Sequence, residues 1–136
     1  MTHLLVDYDG TVARWVSGQL GIADFGPCVA IGIIQDDELI AGSVFTSYRE
    51  ASIEISFAST TPRWCTRSTL RGAVFWYPFE QLGCHRLTAM TRSKATSVRK
   101  FLRHLGFTEE GVMRRALLDG DDVVIHGILR EECRWL

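Results

Sequence analysis

Two acidic residues near the start of the chain have the types and the spacing to carry out chemistry. Asp7 and Asp9 follow an apolar run and precede Gly10 and Thr11 in the stretch LLVDYDGTVA. Paired carboxylates can hold a divalent cation, and one can attack as a nucleophile while the other donates a proton. The stretch therefore indicates either a catalytic carboxylate pair or a turn that leads from a first strand into a helix.

The spacing of this pair resembles that of the magnesium-dependent phosphatases of the haloacid dehalogenase-like superfamily. The resemblance implies Asp7 as nucleophile and Asp9 as general acid, with Lys94, Asp121 and Asp122 as the remaining charged groups. That chemistry requires a doubly wound parallel sheet with the acidic groups at the carboxyl ends of its strands. The later strands are instead joined by short hairpin turns, so the phosphatase remains an alternative interpretation.

The hydrophobic pattern predicts the elements that must position any site. A first strand turns at Asp9-Gly10 into a helix that Thr11 caps. The predicted order of elements is β-α-β-β-β-α-β-α-β-β. The first strand covers residues 3–8, the first helix ends at residue 20, and a hairpin at 28–45 and a strand at 51–59 follow. Then come a helix at 66–82, a strand at 85–91, a helix at 93–105 and a hairpin of 112–118 with 123–129. This order predicts an α/β (α+β) fold, with a mixed, mostly antiparallel sheet flanked by helices, in one domain over residues 1–136.

Composition excludes several classes of protein. The formal net charge of −1 does not favour binding to nucleic acid or to an anionic membrane, although most of the 15 lysines and arginines lie between Arg63 and Arg115. The four cysteines form no C-x-x-C pair, so neither a zinc site nor a disulfide framework is expected. Without a signal-peptide pattern or a long apolar run, we expect free thiols in the cytoplasm and no metal.

A second signature lies late in the chain. An amphipathic helix ends in Leu105-Gly106-Phe107, and Glu110-Gly111, an Asp119-Gly120 turn and a strand ending in Leu129-Arg130 follow. These features resemble, in order and spacing, the C-terminal half of GNAT-type N-acetyltransferases, and the likeness in strand order extends over 28–132. The compact length resembles that of members encoded in phages and prophages.

The resemblance implies the GNAT (acyl-CoA N-acyltransferase) fold, with a split between strands four and five that receives acetyl-CoA as co-substrate. A bulge in strand four would free backbone amides for the thioester, and the following loop and helix start would hold the pyrophosphate. The implied cofactor-binding residues are Phe57, Ser59, Arg63, Thr66, Arg67, Ser68, Thr69, Ser97 and Lys100.

Two positions depart from the family pattern. The loop TTPRWCTRSTLRG lacks the glycines of Q/R-x-x-G-x-G/A, so side chains would have to hold the phosphates. Ala95 and Leu102 stand where the family often has an asparagine that contacts coenzyme A and a tyrosine that acts as general acid. A GNAT-fold binding or interaction module without catalysis therefore stays open as a hypothesis from another class.

The expected reaction is direct attack of an amine on the thioester. A typical amine has a pKa near 10, so a base must remove a proton, and Glu54 on the polar face of strand four is the candidate, directly or through water. His85, at the start of strand five, is a candidate proton relay, and Trp64 is expected to pack in the core or as a lid. Protein N-termini, lysines, aminoglycosides and polyamines all remain possible acceptors. The short segment before strand two predicts an open acceptor pocket, which a homodimer would complete.

Overall fold

The computed structural model describes residues 2–136 and contains seven strands. They are β1 (Thr2–Leu5), β2 (Val29–Gln35), β3 (Glu38–Thr46), β4 (Ser52–Ser59), β5 (Arg86–Arg92), β6 (Thr108–Met113) and β7 (Val123–Leu129). They form one sheet in the order β1-β2-β3-β4-β5-β7-β6. This arrangement confirms the predicted mixed sheet.

Three helical segments connect the strands. Helix α1 is Asp9–Leu20 and α3 is Thr96–Leu105. Segment α2 starts as an α-helix at Arg67–Leu70 and continues in wider π-helical turns over Arg71–Phe75 and Tyr77–Gln81. The wide turns accommodate Pro78, which has no N–H to donate to the preceding turn. Within residues 2–136 no helix has the length and the apolar character needed to cross a membrane.

The helices cover the two faces of the sheet unequally. Segment α2 and helix α3 pack on one face, the α2–α3 face, where Phe75, Phe79 and Leu87 are fully buried. Helix α1 packs alone on the other face, the α1 face, through Val12 and Val16 against β2, β3 and β4. The α1 face of β5, β7 and β6 therefore has no helix over it in the described part of the chain.

The opening stretch LLVDYDGTVA is a strand, a turn and a helix start, but its details differ from the prediction. Helix α1 already begins at Asp9, and its N-cap residue, Tyr8, makes no side-chain cap, so the predicted cap at Thr11 is wrong. Oδ1 of Asp9 accepts a hydrogen bond from the Ala30 N–H at 3.0 Å. This bond joins the start of α1 to β2, so the Asp9 carboxylate has a structural role.

The phosphatase interpretation fails on topology. Among the six strand pairs of residues 2–136, only β4 and β5 run parallel, and β1 is an edge strand antiparallel to β2. The doubly wound parallel sheet that would gather Asp7, Asp9 and Asp121 does not form. No group of three or more His, Cys, Asp or Glu side chains in these residues is placed to hold a metal ion.

The two hairpins compare differently with their predictions. The β2–β3 turn is as predicted, since Asp36 and Asp37 adopt φ values of 52° and 64°, as a tight two-residue hairpin turn requires. The last hairpin is shifted, because β6 ends at Met113 and not at residue 118. The strand starts earlier, at Thr108, its register against β7 is irregular between Glu109 and Gly111, and residues 114–122 form a loop.

Candidate functional site

A V-shaped gap opens in the middle of the sheet. Strands β4 and β5 pair from Ser52 with Arg86 to Ile55 with Ala89. Beyond that point β4 continues along β3 to Ser59, while β5 continues along β7 to Arg92. The split predicted between strands four and five is therefore present, with its closed end at the Ile55–Ala89 pair.

Backbone groups of β4 face this gap. The Thr60 N–H donates to the Ile40 carbonyl on the β3 side, at 2.9 Å, and the Ala51 carbonyl accepts from the β5 side. Since backbone groups of alternate residues in a strand point to opposite sides, the N–H groups of Phe57 and Ser59 are directed into the gap. The register between β3 and β4 is continuous, so the predicted bulge is wrong. The divergence of β5 frees these groups instead.

Glu54 lies next to the closed end of the gap, on the α1 face. It is opposite Thr46 of β3 and Thr88 of β5. Its half-buried carboxylate makes no hydrogen bond and no ion pair with any other described residue. A carboxylate in this state is available to accept a proton or to bind a cation.

A neighbouring carboxylate, Glu110, is neutralised by contrast. Arg86 pairs with it at 2.7 Å and donates through Nε to the Thr88 hydroxyl at 3.0 Å. The hydrogen bond from Arg86 to the Glu110 carboxylate lowers the pKa of Glu110. A Cβ on Gly127 of β7 would collide with both charged groups, so glycine there lets the ion pair lie across the strand. Glu54 and Glu110 thus lie on the same α1 face of the sheet, but Glu54 is unpaired and Glu110 is paired with Arg86.

His85 is not brought to the gap. Its N–H donates to the Ala51 carbonyl at 2.7 Å, and its carbonyl accepts from the Arg130 N–H at 2.9 Å. It lies four residues before Ala89, which is about 13 Å along a strand. This placement, beyond the closed end of the gap, does not favour the predicted proton relay.

The loop after β4 uses some of its predicted phosphate ligands internally. The Thr66 hydroxyl accepts from the Thr69 N–H at 3.3 Å, and the Thr69 hydroxyl accepts from the Thr66 N–H at 3.1 Å. These two hydroxyls therefore cap the start of α2. Ser68 is exposed, and the guanidinium groups of Arg63 and Arg67 form no ion pair within residues 2–136.

The remaining predicted ligands lie at the same end of the sheet. Segment α2 follows β4 and helix α3 follows β5, so both helices start where the gap is widest. Ser97 and Lys100 occupy the first turns of α3 and are exposed, and Arg71 is exposed in α2. The open end of the gap thus collects cationic and hydroxyl side chains from two helix starts.

Trp64 joins the two sides of the gap on the α2–α3 face. Its side chain is only 3% exposed. The indole lies 4.6 Å from the ring of Phe57 on β4 and 6.2 Å from the ring of Phe101 on α3, measured between centroids. Sequence reasoning predicted the packing of Trp64 but missed Phe101 as its partner, for which the apolar face of α3 was the available signal.

A second buried group lies close to the closed end. His126 is fully buried opposite Ala89, its Nε2 is 3.0 Å from the Thr91 hydroxyl, and its Nδ1 has no partner among the described residues. Burial lowers the pKa of His126, partly offset by the negative charge of Glu109. Uncharged imidazole is therefore the favoured form beside the gap.

The β6–β7 loop is fastened to the β5 side of the gap. Arg92 pairs with Asp119 at 2.7 Å, and the Ser93 hydroxyl donates to Asp121 at 2.8 Å. The hydrogen bond from the Asp121 N–H is the largest effect that lowers the pKa of Asp119, and the hydrogen bond from Arg92 lowers it further. The exposed Met90 side chain lies just beyond the last β4–β5 pair. These contacts give the gap a fixed wall on the side without a helix.

Comparisons with known proteins define the class of fold. No family model and no curated protein sequence matches the chain. Solved structures do match. A spermidine N-acetyltransferase SpeG mutant from Vibrio cholerae matches with a TM-score of 0.76 and 15% identity, over 99% of this chain and 96% of that one. A probable acetyltransferase matches with a TM-score of 0.72 and 16% identity, over 96% and 94%.

A GNAT-family acetyltransferase from Bacillus anthracis also matches, with a TM-score of 0.62 and 21% identity, over 88% of this chain and 73% of that one. The protein therefore has an acetyltransferase fold. More particularly, it has the GNAT fold, as the late sequence block predicted.

Proposed function

We propose that this protein is an N-acetyltransferase that transfers the acetyl group of acetyl-CoA to an amine by direct attack, without a covalent enzyme intermediate. The observation that carries the proposal is the gap between β4 and β5. Amides of Phe57 and Ser59 face this gap, and the unpaired Glu54 carboxylate lies at its closed end. A base and free backbone amides at one gap are the groups that acyl transfer to an amine requires.

The residues at the open end fit the phosphates of the co-substrate. Arg63, Arg67 and Arg71 carry charges without ion-pair partners in residues 2–136, and Ser97 and Lys100 lie on the adjacent helix. In this proposal guanidinium groups replace the glycine-rich backbone of the family as phosphate ligands. Thr66 and Thr69 contribute by holding the start of α2, since their hydroxyls are already bonded.

Each chemical step has a proposed group. Glu54 takes the proton of the attacking amine, and the Phe57 N–H stabilises the negative charge that develops on the thioester oxygen. Leu102 has no proton to give to the departing thiolate. A thiol pKa of about 8.5 makes protonation by solvent sufficient near neutral pH.

The acceptor approaches from the α1 face of β5, β7 and β6, where the described chain places no helix. Structural neighbours include a spermidine N-acetyltransferase and a ribosomal-protein-S5-alanine acetyltransferase, so polyamines and protein N-termini are the first acceptors to test, followed by lysines and aminoglycosides. We also propose a homodimer that completes the acceptor pocket. Four free thiols fit a reducing, cytoplasmic setting.

A calorimetric titration with acetyl-CoA, followed by mass-spectrometric detection of acetylated amines from a panel of these acceptors, tests the proposal. We expect binding at micromolar to millimolar cofactor and transfer to at least one acceptor. Binding without transfer to any acceptor would favour the alternative of a binding module. No binding at millimolar acetyl-CoA would contradict the enzyme.

A further inference from the structure

A separate cavity lies at the other end of the sheet. It has a volume of about 260 Å³ and is lined by residues 27–29, residues 45–48, Ile53 and Tyr77. These segments are the start of β2, the end of β3 and the start of β4, together with segment α2. Ile53 and Ser59 are six residues apart on β4, which is about 20 Å, so this cavity lies far from the open end of the gap.

Aromatic rings form much of the cavity wall. Phe45 is buried, Tyr77 is half-buried, and Tyr48 is 52% exposed at the rim. The rings of Phe45 and Tyr77 are 5.1 Å apart between centroids and tilted by 55°. Aromatic faces attract cations that lie within about 6 Å of the ring centroid, and more strongly where water is excluded. A buried floor with an exposed aromatic rim leaves room for a small headgroup to enter from solvent.

Negative charge lies beside this wall. Asp9 is held by the Ala30 N–H, two residues from Cys28 of the lining, and Asp24 precedes the same segment. Neither carboxylate forms an ion pair in the part of the chain that the structure describes. After desolvation, the charges of Asp9 and Asp24 raise the pKa of Cys28. The negative potential therefore reaches the cavity wall.

The charge of Asp9 also acts on Tyr77, on another wall of the cavity. Desolvation raises the pKa of Tyr77, and Asp9 raises it further. Arg49 and Glu50, which follow the lining in the β3–β4 loop, carry opposite charges that offset each other. Asp9 therefore acts on both Cys28 and Tyr77 of the lining, Asp24 acts on Cys28, and the Glu54 carboxylate lies opposite Thr46 of the lining.

We propose that this cavity binds an organic cation, namely the alkylammonium headgroup of a small molecule. The rings of Phe45, Tyr48 and Tyr77 supply cation–π contacts, and the carboxylates of Asp9 and Asp24 balance the charge. These carboxylates would attract a cation, give no such attraction to a neutral ligand and repel an anion. The cavity lies at the closed end of the gap, where Ile53 precedes Glu54 and Thr46 lies opposite it, but binding of the headgroup does not require acetyl transfer to occur.

Choline and its neutral isostere 3,3-dimethylbutan-1-ol are matched probes for this site. Each is titrated into the full ¹⁵N-labelled chain while amide chemical shifts are followed. We expect choline to shift the amides of Cys28, Thr46, Tyr48 and Tyr77, and the isostere to bind at least about tenfold more weakly, which corresponds to ~1.4 kcal/mol. Equal affinity for the two probes, no shifts, or shifts confined to Phe57 and Ser59 would overturn the proposal.

Matched variants test the charge. Asp9→Asn keeps an oxygen that accepts the Ala30 N–H and removes the charge, so we expect choline binding to weaken about tenfold, or ~1.4 kcal/mol. Asp37→Asn removes one charge from the β2–β3 turn at the opposite end of the sheet and is expected to leave choline binding unchanged. An equal loss in both variants would indicate a bulk charge effect and overturn the site.

Tyr48→Leu tests the aromatic rim without touching the start of α1. Its exposed position makes a folding defect unexpected, and melting curves check this. We expect choline to bind about threefold to tenfold more weakly, while affinity for the neutral isostere is retained. Unchanged choline affinity in Tyr48→Leu would contradict the aromatic part of the proposal even if Asp9→Asn did not fold.

Discussion

The two ends of the sheet differ in charge and in the way their polar groups are used. At the open end, Arg63, Arg67 and Arg71 have no ion-pair partner in the described chain, and β4 amides face the gap. At the closed end, Asp9 and Asp24 are unpaired beside an aromatic cavity, and Glu54 is unpaired next to the end of the gap. The formal net charge of −1 hides this separation.

Several other charged groups of the described chain pair with one another. Arg99 and Arg103 both pair with Glu109, at 2.7 and 3.0 Å, and Arg92 holds the β6–β7 loop through Asp119. Such groups fix elements in place and offer little to a ligand. Unpaired charge next to free backbone groups or aromatic walls is therefore the better guide to function in this fold.

The strongest test of the open gap is Glu54→Gln. The amide cannot accept the amine proton, so we expect kcat for acetyl transfer to fall about a thousandfold, within the range of general-base contributions. Acetyl-CoA affinity should stay unchanged, because Glu54 lies below the phosphate end of the gap. Steady-state kinetics at saturating cofactor, over a pH range, measure the effect.

Glu110→Gln is the matched control on the same face. Its carboxylate is already paired with Arg86, so we expect less than about a tenfold change in kcat, with a small loss of stability from the broken ion pair. If Glu110→Gln lost as much activity as Glu54→Gln, the contrast between the unpaired and the paired carboxylate would not hold.

Trp64→Ala tests the aromatic bridge across the gap. Removing a buried indole leaves a cavity between Phe57 and Phe101, so we expect unfolding free energy to fall by about 3 kcal/mol. Chemical denaturation measures it. Trp76→Ala, at a side chain 38% exposed, is the control and should cost clearly less. Equal losses would mean that Trp64 does not bridge β4 and α3.

Arg67→Ala tests the charge at the open end. Loss of one charge-assisted contact should weaken acetyl-CoA binding about fivefold to tenfold, more at low salt than at high salt. Arg49→Ala removes an exposed arginine from the closed end and should leave the affinity unchanged. Calorimetry at two salt concentrations distinguishes them, and equal weakening by both variants would argue against a local phosphate site.

Local patterns predicted most of the elements. The β2–β3 hairpin, strand β4 and the glycine end of α3 depend on residues close in sequence, such as Asp36-Asp37 and Gly106. The GNAT fold was predicted from the resemblance of the block around Leu105-Gly106-Phe107 and Asp119-Gly120 to that family. Turn chemistry was less decisive, because an Asp-Gly pair after a strand is equally compatible with a nucleophile and with a helix start.

The points that local sequence left open concern competition between partners. Thr66 and Thr69 were predicted as phosphate ligands, but each is close enough to cap the other's backbone. The amides of β4 were expected from a bulge, whereas the long-range divergence of β5 frees them. Local spacing does not predict where β5 diverges from β4. It also does not predict whether the hydroxyls of Thr66 and Thr69 bond to the backbone or to a ligand.

His126 provides the smallest and most specific test, at the closed end of the gap. Burial lowers its pKa in the folded chain below the unfolded value of about 6.5, so the unfolded chain binds more protons as the solution becomes acidic. Folding stability should therefore decrease as pH falls through about 6.5. His126→Gln keeps a donor near the Thr91 hydroxyl but does not titrate, so its stability should depend less on pH between about 7 and 5.

His85→Gln separates this effect from a general loss of histidine. His85 is exposed beyond the closed end, and its replacement is the control for removal of a histidine from another place in the fold. Denaturant unfolding of the three proteins at matched pH values gives the comparison. A slope that is the same in His126→Gln as in the native chain would show that protonation of the buried imidazole does not oppose folding.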